Sequence, residues 1–167
     1  MRKMCVNIRK KCKKMHKKII FFCVHEIFFV PLRRKTMKQK AVNNLEAAKC
    51  LILKHLPTES VHCLYYAVFQ YMMYLLKHTD RNPLTSEKQK ELTQGKDSHL
   101  LTLQEIKNRM NGKPSVIKNF YDTVVELKNA RVTADYSTDP ISEDDTLDYQ
   151  KKAEGIISKL KQNFGNL

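Results

Sequence analysis

Arg131-Val132-Thr133-Ala134-Asp135-Tyr136 places a permanent cation, a carboxylate and a phenol within six residues. An arginine fork grips a phosphate through paired, charge-assisted hydrogen bonds, and a tyrosine offers stacking or a hydroxyl. Arg131 and Asp135 are four apart, so on a helix they share one face. The plainer outcome of that spacing is an ion pair closing a helix; the sharper one is a polar site. His99, directly after Ser98, is a second candidate. In the first turn of a helix the macrodipole lowers a histidine's pKa and favours a nearby anion. The plainer role there is a local hydrogen bond. Tyr65 and Tyr66 carry hydroxyls into an apolar run, where each needs a partner or a wet cleft.

Helices must deliver these groups. Val42, Leu45, Ala48, Ile52 and Leu56 step as one apolar stripe, ended by Pro57. Thr58 is then the expected N-cap of a second helix, Glu59 to about His78, which is apolar enough to be central. Its core side is Val61, Leu64, Tyr65, Val68, Met72, Leu75 and Leu76, widened by Tyr66, Phe69 and Met73. Asp80 to Ser98 reads as a polar loop holding a short exposed helix over Ser86–Thr93. Ser98 can cap a third core helix with Leu103, Ile106 and Met110 inside, and Asn111 to Pro114 breaks it. Val116, Ile117, Phe120, Tyr121, Val124 and Leu127 form a fourth helix that runs into the Arg131 stretch. Ser142 with Asp145 resembles a capping box for a last helix, striped by Tyr149, Ala153, Ile156, Leu160 and Phe164. The expected architecture is all-α, an antiparallel up-down bundle of four to five helices over residues 37–167.

The net charge of +14 points to nucleic acid only until it is located. Residues 1–40 hold 14 Lys and Arg against one acid, Glu26, whereas residues 41–167 hold 17 against 16 acids. The helical part is therefore near neutral and lacks the basic groove of a strong RNA binder. Residues 1–36 stand apart. A basic run, Met1–Lys18, precedes an apolar stretch, Ile19–Val30, that is interrupted by His25 and Glu26. A spanning helix needs about 20 apolar residues, and no small-residue cleavage site follows. The skew to Lys, Ile and Phe is what A/T-rich sequence gives when translated. We expect an extension outside the fold rather than a membrane anchor, with the functional protein opening at Met37.

The five cysteines include no C-x-x-C pair, and Cys50 and Cys63 lie in apolar patterns as small hydrophobes. A reducing cytoplasm is the expectation. Cys12, His16, Cys23 and His25 match no common zinc spacing, and no Gly-rich phosphate loop is present, so neither a metal nor a cofactor is expected.

Three features in register are more specific than any alone: Ser60-x4-Tyr65-Tyr66-Ala67-x-Phe69, Ser98-His99, and Arg131-x-x-Ala134-Asp135-Tyr136. Over roughly residues 37–165 the chain resembles the HEPN family of small helical-bundle proteins, in the branch with a Tyr-Tyr-Ala helix and an Arg-x-x-Ala-Asp-Tyr helix end. The resemblance implies a homodimeric bundle, often an RNase toxin restrained by a small nucleotidyltransferase antitoxin. Active RNase members carry a histidine four to six residues after the arginine. Here Tyr136 holds that place, and no histidine follows His99. A phenol is a poor base at neutral pH, where an imidazole is a good one.

The first functional expectation is therefore a HEPN-like domain that binds a nucleotide, RNA or a partner protein without that catalytic histidine. In it Arg131 takes a phosphate, Tyr65, Tyr66 and Asp135 line the ligand, and His99 helps hold the anion. The alternative is a metal-independent RNase in which Arg131 acts with Tyr136 or with His99, the latter if the third helix starts near the end of the fourth. The plainest reading leaves Arg131–Asp135 as an ion pair and both tyrosines in the core.

Overall fold

Thr36 opens the first helix: its Oγ1 accepts from the Gln39 N–H at 3.2 Å. The structure, a computed structural model, describes residues 36–94, 97–138 and 140–165. Thr36 thus belongs to the folded domain as an N-cap, although the sequence assigned it to the extension. Expectations for residues 1–35, including the four-ligand zinc set, lie outside the described residues.

Six helices and no strand occur among the described residues: α1 (Met37–Leu53), α2 (Pro57–His78), α3 (Ser86–Gln94), α4 (Ser98–Arg109), α5 (Pro114–Tyr136) and α6 (Glu143–Phe164). The all-helical class is as expected; the count is five main helices plus the short α3. α1 ends in a Schellman arrangement, in which Leu56 N–H bonds Leu51 O and His55 N–H bonds Ile52 O, both at 3.0 Å. His55 holds the left-handed position usual for glycine, at φ 56°. Pro57 then starts α2, where a missing N–H costs nothing because that group would lack an intrahelical partner. Thr58 is therefore inside the helix and not its cap. Likewise Asp97, with no side-chain cap bond, precedes α4, and Ser98 is its first residue. The Ser142 cap is as read: its Oγ accepts from Asp145 N–H at 3.0 Å.

α2 packs against α1, α4, α5 and α6. Val61, Leu64, Val68, Met72 and Leu75 are wholly buried, each contributing about 1.5–3 kcal/mol of burial. The expected α1 stripe holds in part: Ala48 is buried and Leu45 packs on the core, as read, whereas Val42 is not on the buried side and Leu56 lies beyond the helix. Ala41 and Ala48 are buried while Val42 and Leu56 are exposed, because small side chains let α1 approach the bulky α2 closely. Cys50 is exposed, not a small hydrophobe in the core, and only Cys63 packs on it. Val116 is exposed at the start of α5, and α3 is anchored by buried Leu92 rather than lying wholly on the surface.

The α2–α3 connection is fixed by a buried cation that the sequence reading passed over. Arg109 donates from Nε and Nη2 to Asn82 O, at 3.0 and 2.7 Å, and from Nη1 to Glu105. Asn82 takes φ 48°, a conformation asparagine tolerates. No helix among the described residues is long and apolar enough to cross a membrane.

Candidate functional site at the end of α5

The central helix supplies the floor. Tyr65 and Tyr66 are adjacent on α2, so their side chains leave it about 100° apart and reach different neighbours. Tyr65 is buried, with its hydroxyl 2.7 Å from His99 Nδ1 in the first turn of α4. The His99 ring stacks on Phe69 with centroids 4.1 Å apart. Tyr66 turns toward α5, where Arg131 Nη2 donates to its hydroxyl at 3.3 Å. Ser60, buried one turn earlier, donates from Oγ to Pro57 O at 2.6 Å and so braces the start of α2.

α5 remains helical through Tyr136, which keeps Arg131 and Asp135 on one face. Arg131 Nε and Asp135 Oδ2 are 2.7 Å apart, and only about a fifth of each side chain is exposed (19% and 20%). Yet Arg131 Nε is buried without a hydrogen bond. The two facts agree if the N–H does not point along the contact: the groups attract as charges while the donor stays unsatisfied. The guanidinium lies 5.5 Å from the Tyr66 ring centroid and 5.8 Å from that of Tyr136. Tyr136 itself is 78% exposed. The expected ion pair exists, and it stands inside a larger polar and aromatic cluster.

The structure brings all six residues singled out in the sequence to this end of the bundle. It adds His62, whose Nδ1 is 3.0 Å from Asp135 Oδ1 and whose ring lies 4.6 Å from that of Tyr66. One carboxylate thus holds Arg131 on one oxygen and His62 on the other. The available signal was spacing: His62 lies one helical turn before Tyr66 on the same face of α2.

Electrostatics separate the two members of the Tyr65–His99 contact. Burial lowers the His99 pKa below its ordinary 6.5, and the Arg131 and Lys128 charges lower it further. Burial raises the Tyr65 pKa well above the usual tyrosine range, with Tyr66 adding to the rise and Arg131 partly opposing it. At neutral pH the pair is a protonated phenol beside an uncharged imidazole. With Tyr65 donating, His99 carries its hydrogen on Nε2; with Tyr65 accepting, Nε2 carries the lone pair.

The larger cavities lie elsewhere. Spaces of about 490 and 620 Å³ open along α5 around Tyr121 and Asp122. The first reaches Ala130 and Thr133, which leave α5 in other directions than Arg131. Their carboxylates are engaged, Asp122 with Lys118 and Glu126 with Lys152. The Arg131 cluster lines neither of these spaces; it is a group of converging polar and aromatic side chains at the end of α5, from partly buried Arg131 and Asp135 to exposed Tyr136. Among the described residues no group of three His, Cys, Asp or Glu side chains is arranged to hold a metal ion. No protein-family model matches the chain, and no curated protein matches it in sequence.

Proposed function

We propose that the Arg131 cluster at the end of α5 binds the phosphate of a nucleotide or an RNA, in a HEPN-like domain belonging to a toxin–antitoxin or related defence-type pair. The carrying observation is the Arg131 guanidinium: it is paired with Asp135, donates to the Tyr66 hydroxyl and faces the exposed Tyr136 ring. A guanidinium grips a phosphate through paired, charge-assisted hydrogen bonds, and an exposed ring 5.8 Å away suits the attached base. The uncharged His99 and the first turn of α4 add neutral and dipolar donors without requiring a basic groove. A small nucleotidyltransferase as antitoxin and a homodimer are what the HEPN resemblance implies, a cytoplasmic setting rests on the cysteine usage, and all three are part of the same proposal.

One observation favours the RNase alternative. An imidazole kept neutral by burial is in the protonation state a general base needs, and His99 belongs to the same cluster as Arg131. The test uses the full chain with fluorescently labelled single-stranded RNA in EDTA. Anisotropy is followed at low and moderate salt, and the products are analysed for a 2′,3′-cyclic phosphate. Saturable binding without cleavage supports the first reading, and cyclic-phosphate products support the second. Failure to bind either labelled RNA or nucleoside phosphates sinks both.

A further inference from the structure

We propose that Asp135 sets the charge of the ligand at the Arg131 cluster, so that it takes the singly charged phosphate of a nucleoside phosphodiester in preference to a doubly charged terminal phosphate. This rests on the reading of the cluster as a phosphate site and adds which phosphate it accepts. Asp135 lies one turn beyond Arg131 on the same face of α5. Its Oδ2 is 2.7 Å from Arg131 Nε, and its Oδ1 is 3.0 Å from His62 Nδ1. Arg131 on its own helix and His62 on α2 thus hold the carboxylate in place, with only 20% of that side chain exposed. A ligand that reaches the arginine meets the carboxylate with it.

A guanidinium offers two edges to an oxyanion, one from Nε to a terminal nitrogen and one across both terminal nitrogens. The carboxylate stands at the first. On the second, Nη2 donates to the Tyr66 hydroxyl at 3.3 Å, and among the described residues Nη1 has no hydrogen-bond partner. One edge therefore remains for a bidentate contact. A phosphodiester brings two non-bridging oxygens, which that edge can satisfy, and one negative charge. A terminal phosphate brings a third oxygen and nearly two charges at neutral pH. Its second charge would lie beside Asp135, in surroundings that screen it less than open water does.

The charge count agrees. Arg131 and Lys128 bring two positive charges, both near enough to lower the pKa of His99, which stays uncharged. Asp135 cancels one of the two, and the remainder matches a monoanion. The Tyr136 ring, exposed and 5.8 Å from the guanidinium, stands where a base attached to that phosphate can stack. That ring favours a nucleoside phosphodiester over the same group in a lipid headgroup.

The experiment compares 5′-AMP with its methyl ester, which share base and sugar and differ by one phosphate charge. Binding to the full chain is measured by calorimetry at pH 8 and constant ionic strength. The wild type is expected to bind the ester about fivefold or more tighter than AMP, the scale of one extra charge beside a partly exposed carboxylate. Asp135→Asn keeps the shape and removes the charge, so it should bring the two affinities within about twofold or reverse their order. Asp135→Glu should keep the preference, a readout that follows charge and that a merely structural role would not move. A wild type that binds AMP as tightly as the ester overturns the proposal without any variant having to fold. Full preference in a folded Asp135→Asn overturns it as well. Adenylyl-adenosine is expected to bind at least as tightly as the ester. Glycerophosphoglycerol, a headgroup monoanion without a base, should bind at least about tenfold more weakly, and equal binding overturns the nucleoside assignment. Binding of AMP and ester without preference sinks this proposal and leaves the phosphate site standing; binding of neither, nor of the dinucleotide, sinks both.

Discussion

Tyr65 and His99, on different helices and 34 residues apart, meet through a 2.7 Å hydroxyl–imidazole contact at the junction of α2 and α4. Each would be costly alone. A buried phenol and a partly buried imidazole both need a hydrogen-bond partner, and here each provides the other's. The histidine at the first turn of α4 is thus explained by a tertiary contact as much as by the helix dipole. The contact also fixes the floor on which Tyr66 and Arg131 meet.

Tyr65→Phe keeps the ring and its packing but leaves His99 Nδ1 facing a hydrocarbon edge. Stranding one buried polar group costs about 1–3 kcal/mol, which for a domain of this size lowers Tm by several degrees. Thermal melts followed by circular dichroism check this. A melt within about one degree of wild type would mean the imidazole turns to water and the contact does not hold α4 in place.

Stability should fall on acidification through His99. Its folded pKa is depressed below the ordinary 6.5 by burial and by Arg131 and Lys128. The native state therefore binds fewer protons than the unfolded chain. The contribution is fully present above the unfolded pKa and is lost as pH falls through the folded value. His99→Gln cannot charge, so its Tm should drop less than that of wild type between pH 7.5 and pH 5. Equal drops in the two proteins would contradict this. The comparison removes the carboxylates and other histidines common to both.

The helices were legible because their apolar spacing is regular, above all in α2, where Val61, Leu64, Tyr65, Val68, Met72, Leu75 and Leu76 are buried and the widening residues Tyr66, Phe69 and Met73 are half-buried. Starts and stops were less so. Thr58 and Ser98 have cap chemistry, but Pro57 and Asp97 precede them, and local preference yields to where the preceding turn delivers the chain. α1 misled for a different reason. Val42 is the better hydrophobe, yet Ala41 faces the core, since the space against α2 suits a small residue. At the site, Arg131 and Asp135 could be paired from sequence because they are one turn apart. His62–Asp135 spans two helices and 73 residues, and no local pattern encodes which histidine a carboxylate will meet.

Arg131 decides whether the cluster is a site or a brace. As an exposed surface pair, Arg131–Asp135 would contribute only about 0.3–0.5 kcal/mol, but both side chains are four-fifths buried and share Tyr66. Arg131→Ala should therefore cost more, about 1–2 kcal/mol, partly by leaving Asp135 with His62 alone. It should still fold, because the hydrophobic core on α2 is untouched. RNA or nucleotide binding should weaken by at least about tenfold, since a charge-assisted bidentate contact contributes about 1.5–3 kcal/mol. Arg131→Lys should recover stability better than binding: an ammonium still attracts Asp135 but has no planar fork for a phosphate. Tyr136→Phe keeps ring stacking and removes only the hydroxyl, so binding should survive it if the ring serves as a platform for a base. Melts and anisotropy titrations on the same preparations separate the two roles. If Arg131→Ala melts as low as a core deletion while its folded fraction binds RNA as tightly as wild type, the arginine is a brace and the phosphate site is elsewhere.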